Sequence, residues 1–380
     1  MPSERRAPPE AAVAAATVRP VTRDDAPALL AINRACPIEA NFTFYFDRAP
    51  DFFAWPDAVF DQHEYLGVYS DDRLVGYGLC GTLEGWIGDG WGPYVYGGDL
   101  RVLPGWRGAG LAKRIILEFI DRLPPGRRAA FMLVKDGNVA ATGLISPRRW
   151  AVPRFVHRVL CRFEAANLLL LRRTGGPRRC RVRHAREGDV EAMAALMTRA
   201  LQGRLFAPQL TAERLARDAE RVPGLGLDRY FLAERDGRLV GVLAAWDEGP
   251  LRRTTLLGYD LGGKALRAGY RAASLVLRNA APLPEVGESF RSLTATRVAI
   301  ADRDPGVLED LLRAVVDEHL GHGYHMLHVG FAGEDPLRVA LKPFFAQSFR
   351  SQIYLVAEKG AYPSVWPPGH EDPYVDLAII

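Results

Sequence analysis

One short stretch, residues 99–112, combines the residue types needed to bind an anion. It runs from an alternating strand pattern into a glycine-containing loop and then into a helical pattern. Gly108 and Gly110 let main-chain N–H groups approach a ligand closely, and the start of a helix favours negative charge. Arg107 adds a permanent positive charge. The stretch therefore predicts a site for a diphosphate group.

Two common phosphate-binding loops do not fit these residues. A P-loop ends in Gly-Lys followed by Ser or Thr, and no such sequence follows Gly110. A dinucleotide-binding loop has the pattern G-x-G-x-x-G, with an acidic residue about 20 positions later. Here Lys113 takes the place of the third glycine, and Arg127 and Arg128 stand where the acidic residue belongs. The diphosphate must therefore belong to another kind of ligand.

The remaining pattern is R-x-x-G-x-A, formed by Arg107, Gly110 and Ala112 after a strand and a proline. This arrangement resembles motif A of the GNAT acetyltransferase superfamily. The resemblance implies that the loop holds the pyrophosphate of acetyl-CoA, which serves as co-substrate. The contacts that it implies lie at the strand end and in the loop: Leu100, Arg101, Val102, Arg107, Gly108, Ala109, Gly110, Leu111 and Ala112.

The predicted elements around the loop occur in the order that the resemblance requires. Before it, the patterns predict a strand at 18–22, a capped helix at 26–36 and a hairpin at 65–83. After the helix that begins near Ala112, a strand is predicted at 129–134. Asn138 then opens a short helix, as an asparagine does in the family's second motif. It is implied as a further cofactor contact, with a plain helix cap as the alternative.

Amine acetylation also needs a base for the ammonium proton and an acid for the leaving thiolate. Asp99, on the strand that approaches the thioester, is the first candidate for the base, and pairing with Arg101 is the alternative. Glu84, at the end of the hairpin strand, is the second candidate. Many family members carry a tyrosine as the acid, but the corresponding position here is Ile145. The usual acid is therefore absent.

Aromatic residues are concentrated on the expected acceptor side. The candidates to line an acceptor pocket, with core packing as the alternative, are Tyr94, Tyr96, Trp86, Trp91 and the predicted loop 41–46. Gly97 and Gly98 predict a β-bulge that opens the strand. Residues 373–380 alternate like a last strand. Similarity to the N-myristoyltransferases would make the terminal carboxylate of Ile380 a base, but a structural strand is the favoured interpretation.

The second half of the sequence repeats the first. A strand at 181–184 and a hairpin at 230–246 precede a strand at 293–300, after which 303–308 lines up with the anion-binding loop. In this copy Pro305 removes an N–H donor, and Asp302 and Asp304 place carboxylates where phosphates would bind. The second loop is therefore predicted to be degenerate.

These observations predict a mixed α/β protein with two tandem acyl-CoA N-acyltransferase (GNAT) folds, each a mostly antiparallel sheet flanked by helices. Its 380 residues suit two domains. The predicted division is a disordered tail (1–16), an N-terminal GNAT domain (17–171), a linker (172–180) and a degenerate GNAT-like C-terminal domain (181–380). The tail lacks the apolar core of a secretion signal.

The predicted function is an acetyl-CoA-dependent N-acetyltransferase acting on an amine of a small molecule or peptide, with its active site in the N-terminal domain. The alternative is a non-catalytic acyl-CoA-binding sensor or scaffold. A net charge of only +4 argues against nucleic acid as partner, and no apolar run reaches the roughly 18 residues of a membrane span. No metal is expected, because glycines interrupt the histidine series at 319–328. Four cysteines without paired spacing predict a cytoplasmic location. A homodimer is left open.

Overall fold

The computed structural model describes residues 10–39, 42–88, 90–123, 129–145, 155–274, 277, 279–359 and 373–380. The strands in these ranges are β1 (Thr17–Pro20), β2 (Ile38–Glu39), β3 (Phe42–Asp47), β4 (Gln62–Ser70), β5 (Arg73–Ile87), β6 (Gly90–Val102), β7 (Ala129–Lys135), β8 (Phe155–Leu169), β9 (Arg181–His184), β10 (Tyr230–Arg235), β11 (Arg238–Trp246), β12 (Arg253–Tyr259), β13 (Ser289–Phe290), β14 (Ser292–Ile300), β15 (Met326–Ala332) and β16 (Ala346–Glu358). The helices there are α1 (Glu10–Ala15), α2 (Ala26–Ala35), α3 (Ala54–Val59), α4 (Leu111–Arg122), α5 (Val139–Ile145), α6 (Val190–Leu201), α7 (Ala212–Arg221), α8 (Leu261–Ser274) and α9 (Pro305–His319). None of these helices is long and apolar enough to cross a lipid bilayer.

Strands from both halves of the sequence form one twelve-stranded sheet, in the order β1-β4-β5-β6-β7-β16-β8-β15-β14-β11-β10-β9. From either edge inwards the same pattern appears, with β1-β4-β5-β6-β7 on one side and β9-β10-β11-β14-β15 on the other. In each half the pair nearest the centre, β6–β7 or β14–β15, is parallel, and the strands before it pair antiparallel. The predicted fold class, a mixed α/β fold with two tandem copies, is confirmed.

The two copies share strands at the centre of the sheet. β8, from the first half of the sequence, pairs with β15 of the second half. β16, from the second half, pairs with β7 on one side and with β8 on the other. Each half contributes one strand to the part of the sheet formed by the other half, so the sheet is continuous. The sequence predicted a separate sheet for each domain. The predicted division at 172–180, between β8 and β9, stays a prediction.

Helix α4 is fixed by its apolar stripe. Leu111 and Ile115, one turn apart on the same face of the helix, are buried against β4 and β5, whereas Ile116 and Ile120 on the neighbouring face are buried against Val356 of β16. Gly78 of β5 lies beneath the first of these faces, where a Cβ would come within 3.0 Å of Ile115 Cγ2. The close packing of α4 on β4 and β5 places the N-terminus of the helix at the end of β6.

Three segments differ from their predictions. Residues 42–47 form β3 rather than a loop, because they pair with β12 in a four-stranded sheet of order β13-β12-β3-β2. Residues 373–380 form no strand. Instead the Asp376 carboxylate accepts hydrogen bonds from Thr296 Oγ1 and from the main-chain N–H of Arg297, and a single helical turn follows. Within the predicted disordered tail, residues 10–15 form α1, while residues 1–9 lie outside the described part.

Helix α1 is attached to α4 by hydrogen bonds from one side chain and by the packing of Val13 against the apolar cluster beneath α4. The Arg114 guanidinium, on the first turn of α4, donates to the carbonyl oxygens of Val13 and Ala16. Ala16 is buried against β4. These contacts order the part of the tail nearest to β1.

Candidate active site

The gap that opens the site is created by β6. This strand pairs with β7 only at Val95–Ala130 and Tyr96–Phe131. A β-bulge follows at Asp99, which has φ +47°, so the bulge predicted from the two preceding glycines is confirmed. Beyond the bulge β6 and β7 diverge. The carbonyl oxygen at the end of β6, that of Val102, accepts hydrogen bonds from Arg107 Nε (3.1 Å) and Cys36 Sγ (3.4 Å).

The loop between β6 and α4 has the backbone of an anion site. Gly108 and Gly110 have φ values of +83° and +77°, and a Cβ at either position would meet no atom within 4 Å. Glycine is therefore required there by the left-handed backbone and not by crowding. The N–H of Arg114 donates to Gly110 O (3.2 Å). The N–H groups before it have no acceptor within the helix and remain available to a ligand.

A cavity of about 970 Å³ extends from this loop along the gap between β6 and β7. Every residue predicted to contact the cofactor lines it except Ala109, which packs against an apolar cluster under α4. Lys113 and Lys135 also line the cavity and add positive charge beside Arg107. In the sequence, Lys113 serves only to exclude a dinucleotide loop, and the position of Lys135 opposite the loop depends on the β6–β7 crossover.

Asn138 caps a helix and also lines the 970 Å³ cavity, so its cap is confirmed and its contact with a cofactor stays a prediction. Its Oδ1 accepts the N–H of Ala141 (3.0 Å), so it caps α5. It also lines the 970 Å³ cavity, where its Nδ2 group remains available as a donor.

The two roles of Asn138 can be separated by substitution. Asn138→Asp keeps the cap but places a carboxylate in a cleft suited to phosphates, so we expect stability close to that of the wild type and weaker acetyl-CoA binding. Asn138→Ala removes the cap and should cost about 1 kcal/mol of stability. Thermal denaturation and calorimetric titration with acetyl-CoA measure the two effects. Wild-type affinity in Asn138→Asp would show that the side chain only caps the helix.

Asp99 is buried in an ion pair and lines neither this cavity nor the second one described below. Its Oδ2 lies 2.8 Å from Arg48 Nη1, with only 3% of the Arg48 side chain and 8% of the Asp99 side chain exposed. Tyr65 Oη donates to the same oxygen (3.3 Å), and Arg101 lies 3.5 Å from the other. Burial opposes the charge on Arg48, but Asp99, Tyr65 and Tyr77 together outweigh it and raise the pKa of Arg48. The pairing predicted as the alternative therefore exists, with Arg48 as the closer partner.

The other predicted catalytic side chain, Glu84, is exposed on β5 and also lines neither cavity. Its main-chain N–H donates to Asp61 Oδ2 (2.8 Å), and its carbonyl oxygen accepts from the N–H of Gln209 (3.0 Å). The residue thus lies where a loop of the second half meets β5. Ile145 ends α5, and its side chain lies outside the described part of the structure, as does Ser146 beside it.

The predicted aromatic lining divides into two groups. Tyr94 and Tyr96 are buried core residues, with Phe131 packed against both rings. Trp86 and Trp91 pack on each other at the far end of the β5–β6 hairpin, with their ring centroids 5.1 Å apart. None of these four lines either cavity. From the segment 41–46, Phe42, Phe44 and Phe46 do line the second cavity.

The second cavity, of about 590 Å³, adjoins the first at Ile38 and Lys135. Its apolar wall consists of Phe42, Phe44, Phe46, Phe290, Met326 and Phe349. Its polar groups include those of Asn167, Glu248, Arg252 and His328, and the terminal residue Ile380, named above as a candidate base, also lines it. Most of these residues belong to the second half of the sequence or to β8, and no local pattern in the sequence marks them. Burial and the nearby Arg252 lower the pKa of His328 to about 4, so its imidazole is neutral at pH 7.

In the second half, the loop that corresponds to the anion site is filled by the chain itself. Asp304 caps α9 by accepting the N–H of Gly306 (2.8 Å) and pairs with Arg235 (2.9 Å). The Arg179 side chain packs against Gly306, where the first loop is open. Among the described residues, no group of three His, Cys, Asp or Glu side chains is placed to hold a metal ion.

Comparison with known proteins identifies the first half. Residues 27–153 match the model of the acetyltransferase (GNAT) family. Among curated proteins, none matches the sequence. Among solved structures, a GCN5-related N-acetyltransferase from Sphaerobacter thermophilus is similar with a TM-score of 0.54 at 16% identity, over 98% of this chain and 99% of that one.

The Saccharomyces cerevisiae N-myristoyltransferase with bound myristoyl-CoA is similar with a TM-score of 0.56 at 13% identity, over 93% of this chain and 84% of that one. At these identities the likeness shows the fold, and it extends over both copies. The family assignment itself rests on residues 27–153, which include the bulge, the loop and α4. The chain therefore carries, at residues 27–153, a domain of the acetyltransferase (GNAT) family.

Proposed function

We propose that this protein is an acyl-CoA-dependent N-acyltransferase whose donor site is the 970 Å³ cavity. The observation that carries the proposal is the loop at Gly108 and Gly110, which presents unpaired helix N–H groups in open space beside Arg107 and Lys113. A diphosphate bound there directs the rest of coenzyme A along the gap between β6 and β7. The solved relative that holds myristoyl-CoA supports a donor of this class.

The acceptor amine is proposed to enter from the 590 Å³ cavity, which adjoins the donor cavity at Ile38 and Lys135. The amine nitrogen attacks the thioester carbonyl, an N–C bond forms and the C–S bond breaks. The nitrogen loses a proton and the leaving thiolate gains one. Main-chain N–H groups at the diverging end of β6 are suited to stabilise the oxyanion. In this proposal residues 17–171 supply the donor site, and residues 181–380 complete the acceptor cavity.

The test combines donor binding with turnover. We expect calorimetry to show binding of acetyl-CoA, and we expect a thiol-release assay with a panel of primary amines to show CoA formation above the rate of hydrolysis. Comparing acetyl-, butanoyl- and octanoyl-CoA identifies the acyl group, for which acetyl is proposed. If acetyl-CoA and its longer analogues all failed to bind, the proposal would be wrong.

One observation favours a second candidate, a non-catalytic acyl-CoA sensor that acts in the cytoplasm, where acyl-CoA is made and used. Among the described residues, no tyrosine lines either cavity, and Asp99 is engaged with Arg48. This candidate predicts acetyl-CoA binding in calorimetry and no amine-dependent thiol release with any acceptor. The two measurements above therefore distinguish the enzyme from the sensor.

A further inference from the structure

The 590 Å³ cavity contains one buried charge with an unused oxygen. Glu248 lies in the loop between β11 and β12, is 7% exposed and lines the cavity. One of its carboxylate oxygens, Oε2, accepts from Arg252 Nε. The other, Oε1, is buried and has no hydrogen-bond partner among the residues that the structure describes. A buried carboxylate oxygen without a donor is costly, so it marks a place where a ligand is expected to donate.

A chain of contacts leads from Glu248 to the bulge of β6. Arg252 stacks on the Trp55 ring, 4.3 Å from its centroid, and is also held by Ile380 O (2.7 Å). Arg48 lies 4.6 Å from the centroid of the same ring and is paired with Asp99. Glu248 is thus linked, through two arginines and one indole ring, to the point where β6 parts from β7.

The rest of the cavity defines the ligand further. Its wall is formed by phenylalanines and a methionine, and Phe290 is itself 7% exposed. Four other charged side chains of the lining have partners of their own: Asp247 accepts from Tyr324 Oη (2.6 Å), Arg253 pairs with Asp47 (2.9 Å), Lys135 Nζ donates to Glu39 O (3.1 Å) and Arg291 Nη1 donates to His322 O (3.2 Å). The terminal residue Ile380 also lines the cavity, and its O atom accepts from Arg252 Nη1 (2.7 Å). His328 carries no charge at neutral pH, and its Nδ1 is bonded to Asn167 Oδ1 (2.7 Å). The free Glu248 oxygen therefore lacks a donor in a cavity whose bulkiest apolar side chains are phenylalanines.

We propose that Glu248 is the specificity-determining residue of the acceptor site, where its Oε1 binds the ammonium group of an amine carried on an aromatic or other apolar body. The inference deepens the proposed function, because it names the acceptor class, but it concerns binding and can be tested without acyl transfer. An ammonium supplies the donor that Oε1 lacks, and the phenylalanine wall buries the body. Small hydrophilic amines have no apolar body for the phenylalanine wall to bury, so they are expected to bind more weakly.

The experiment compares two probes of the same shape without acyl-CoA. Phenethylammonium carries the charge and the aromatic body, and 2-phenylethanol carries only the body. We expect calorimetry to show that the wild type prefers phenethylammonium, and that Glu248→Gln lowers its affinity at least about tenfold while leaving that for 2-phenylethanol unchanged. The amide oxygen introduced by this substitution can still accept from Arg252, so the fold is kept. Glu191→Gln, an exposed change on α6, is the matched control and should bind like the wild type.

Several results would overturn the inference. Equal losses for both probes in Glu248→Gln would indicate a packing effect, and unchanged affinity for phenethylammonium would show that Oε1 makes no contact with it. Loss of amine binding in the presence of octanoyl-CoA, but not of acetyl-CoA, would assign the cavity to the acyl chain. Glu248→Asp, which keeps the charge, guards against misfolding and should bind phenethylammonium better than Glu248→Gln. If the wild type transferred acyl groups to amines and Glu248→Gln did so equally fast, this inference would be rejected and the proposed function would stand.

Discussion

Replacing Arg107 by glutamate is expected to lower the affinity for acetyl-CoA about 100-fold, because a charge-assisted contact worth about 1.5–3 kcal/mol is lost and a repulsive one is gained. Arg107 lines the donor cavity, and its Nε is already held by Val102 O, which fixes the guanidinium beside the loop. The reversed charge would face the diphosphate at the open helix N-terminus. Calorimetric titration of both proteins with acetyl-CoA measures the effect.

Two controls make the result specific to the diphosphate. Arg173→Glu changes the net charge equally, at an exposed position between β8 and β9, and should leave the affinity within about twofold of the wild type. S-acetylpantetheine lacks the diphosphate, so its affinity should be the same in Arg107→Glu and in the wild type. If Arg107→Glu bound acetyl-CoA as tightly as the wild type, the loop would not be the donor site.

The backbone of the proposed donor site could be predicted because its signals are local. The alternating residues of β6, the glycines at 108 and 110 and the apolar period of α4 lie within one short stretch of sequence. Each specifies a backbone conformation by itself, so strand, loop and helix follow without knowledge of the rest of the chain. The second copy was recognisable for the same reason, although its loop is closed by Asp304, Arg235 and Arg179.

Apart from the phenylalanines of β3, the cavity proposed for the acceptor could not be predicted, because it depends on contacts between distant segments. The exchange of β8 and β16 is decided by pairing over the whole length of both strands, from Ala346–Leu168 to Glu358–Phe155. That exchange brings β15 and the loop carrying Glu248 towards the first half. In the sequence, Glu248 is one carboxylate among many, and only its burial beside Arg252 distinguishes it.

The second copy contains a counterpart of the buried Arg48–Asp99 ion pair, in which an arginine instead of an aspartate occupies the bulge. In β14, Arg297 occupies the bulge with φ +53°, and its register against β11 matches that of Asp99 against β5. Its guanidinium lies 2.6 Å from Asp218 and donates to Tyr230 Oη on β10, just as Arg48 contacts Asp99 and Tyr65 on β4. The second copy keeps this arrangement although its loop is filled. We infer that the pair holds the bulge open in both copies and that Asp99 is a positioning residue.

Asp99→Asn distinguishes this role from that of a catalytic base. If the pair holds the bulge, the substitution leaves Arg48 buried without its counter-charge, and the free energy of unfolding should fall by about 3 to 5 kcal/mol. Asp218→Asn, the matched change in the second copy, should destabilise to a similar extent. Replacing both partners, as in Arg48→Met with Asp99→Asn, should recover part of the loss, because no uncompensated charge remains. Urea denaturation and the thiol-release assay measure both properties. A large loss of kcat at unchanged stability would instead identify Asp99 as the base.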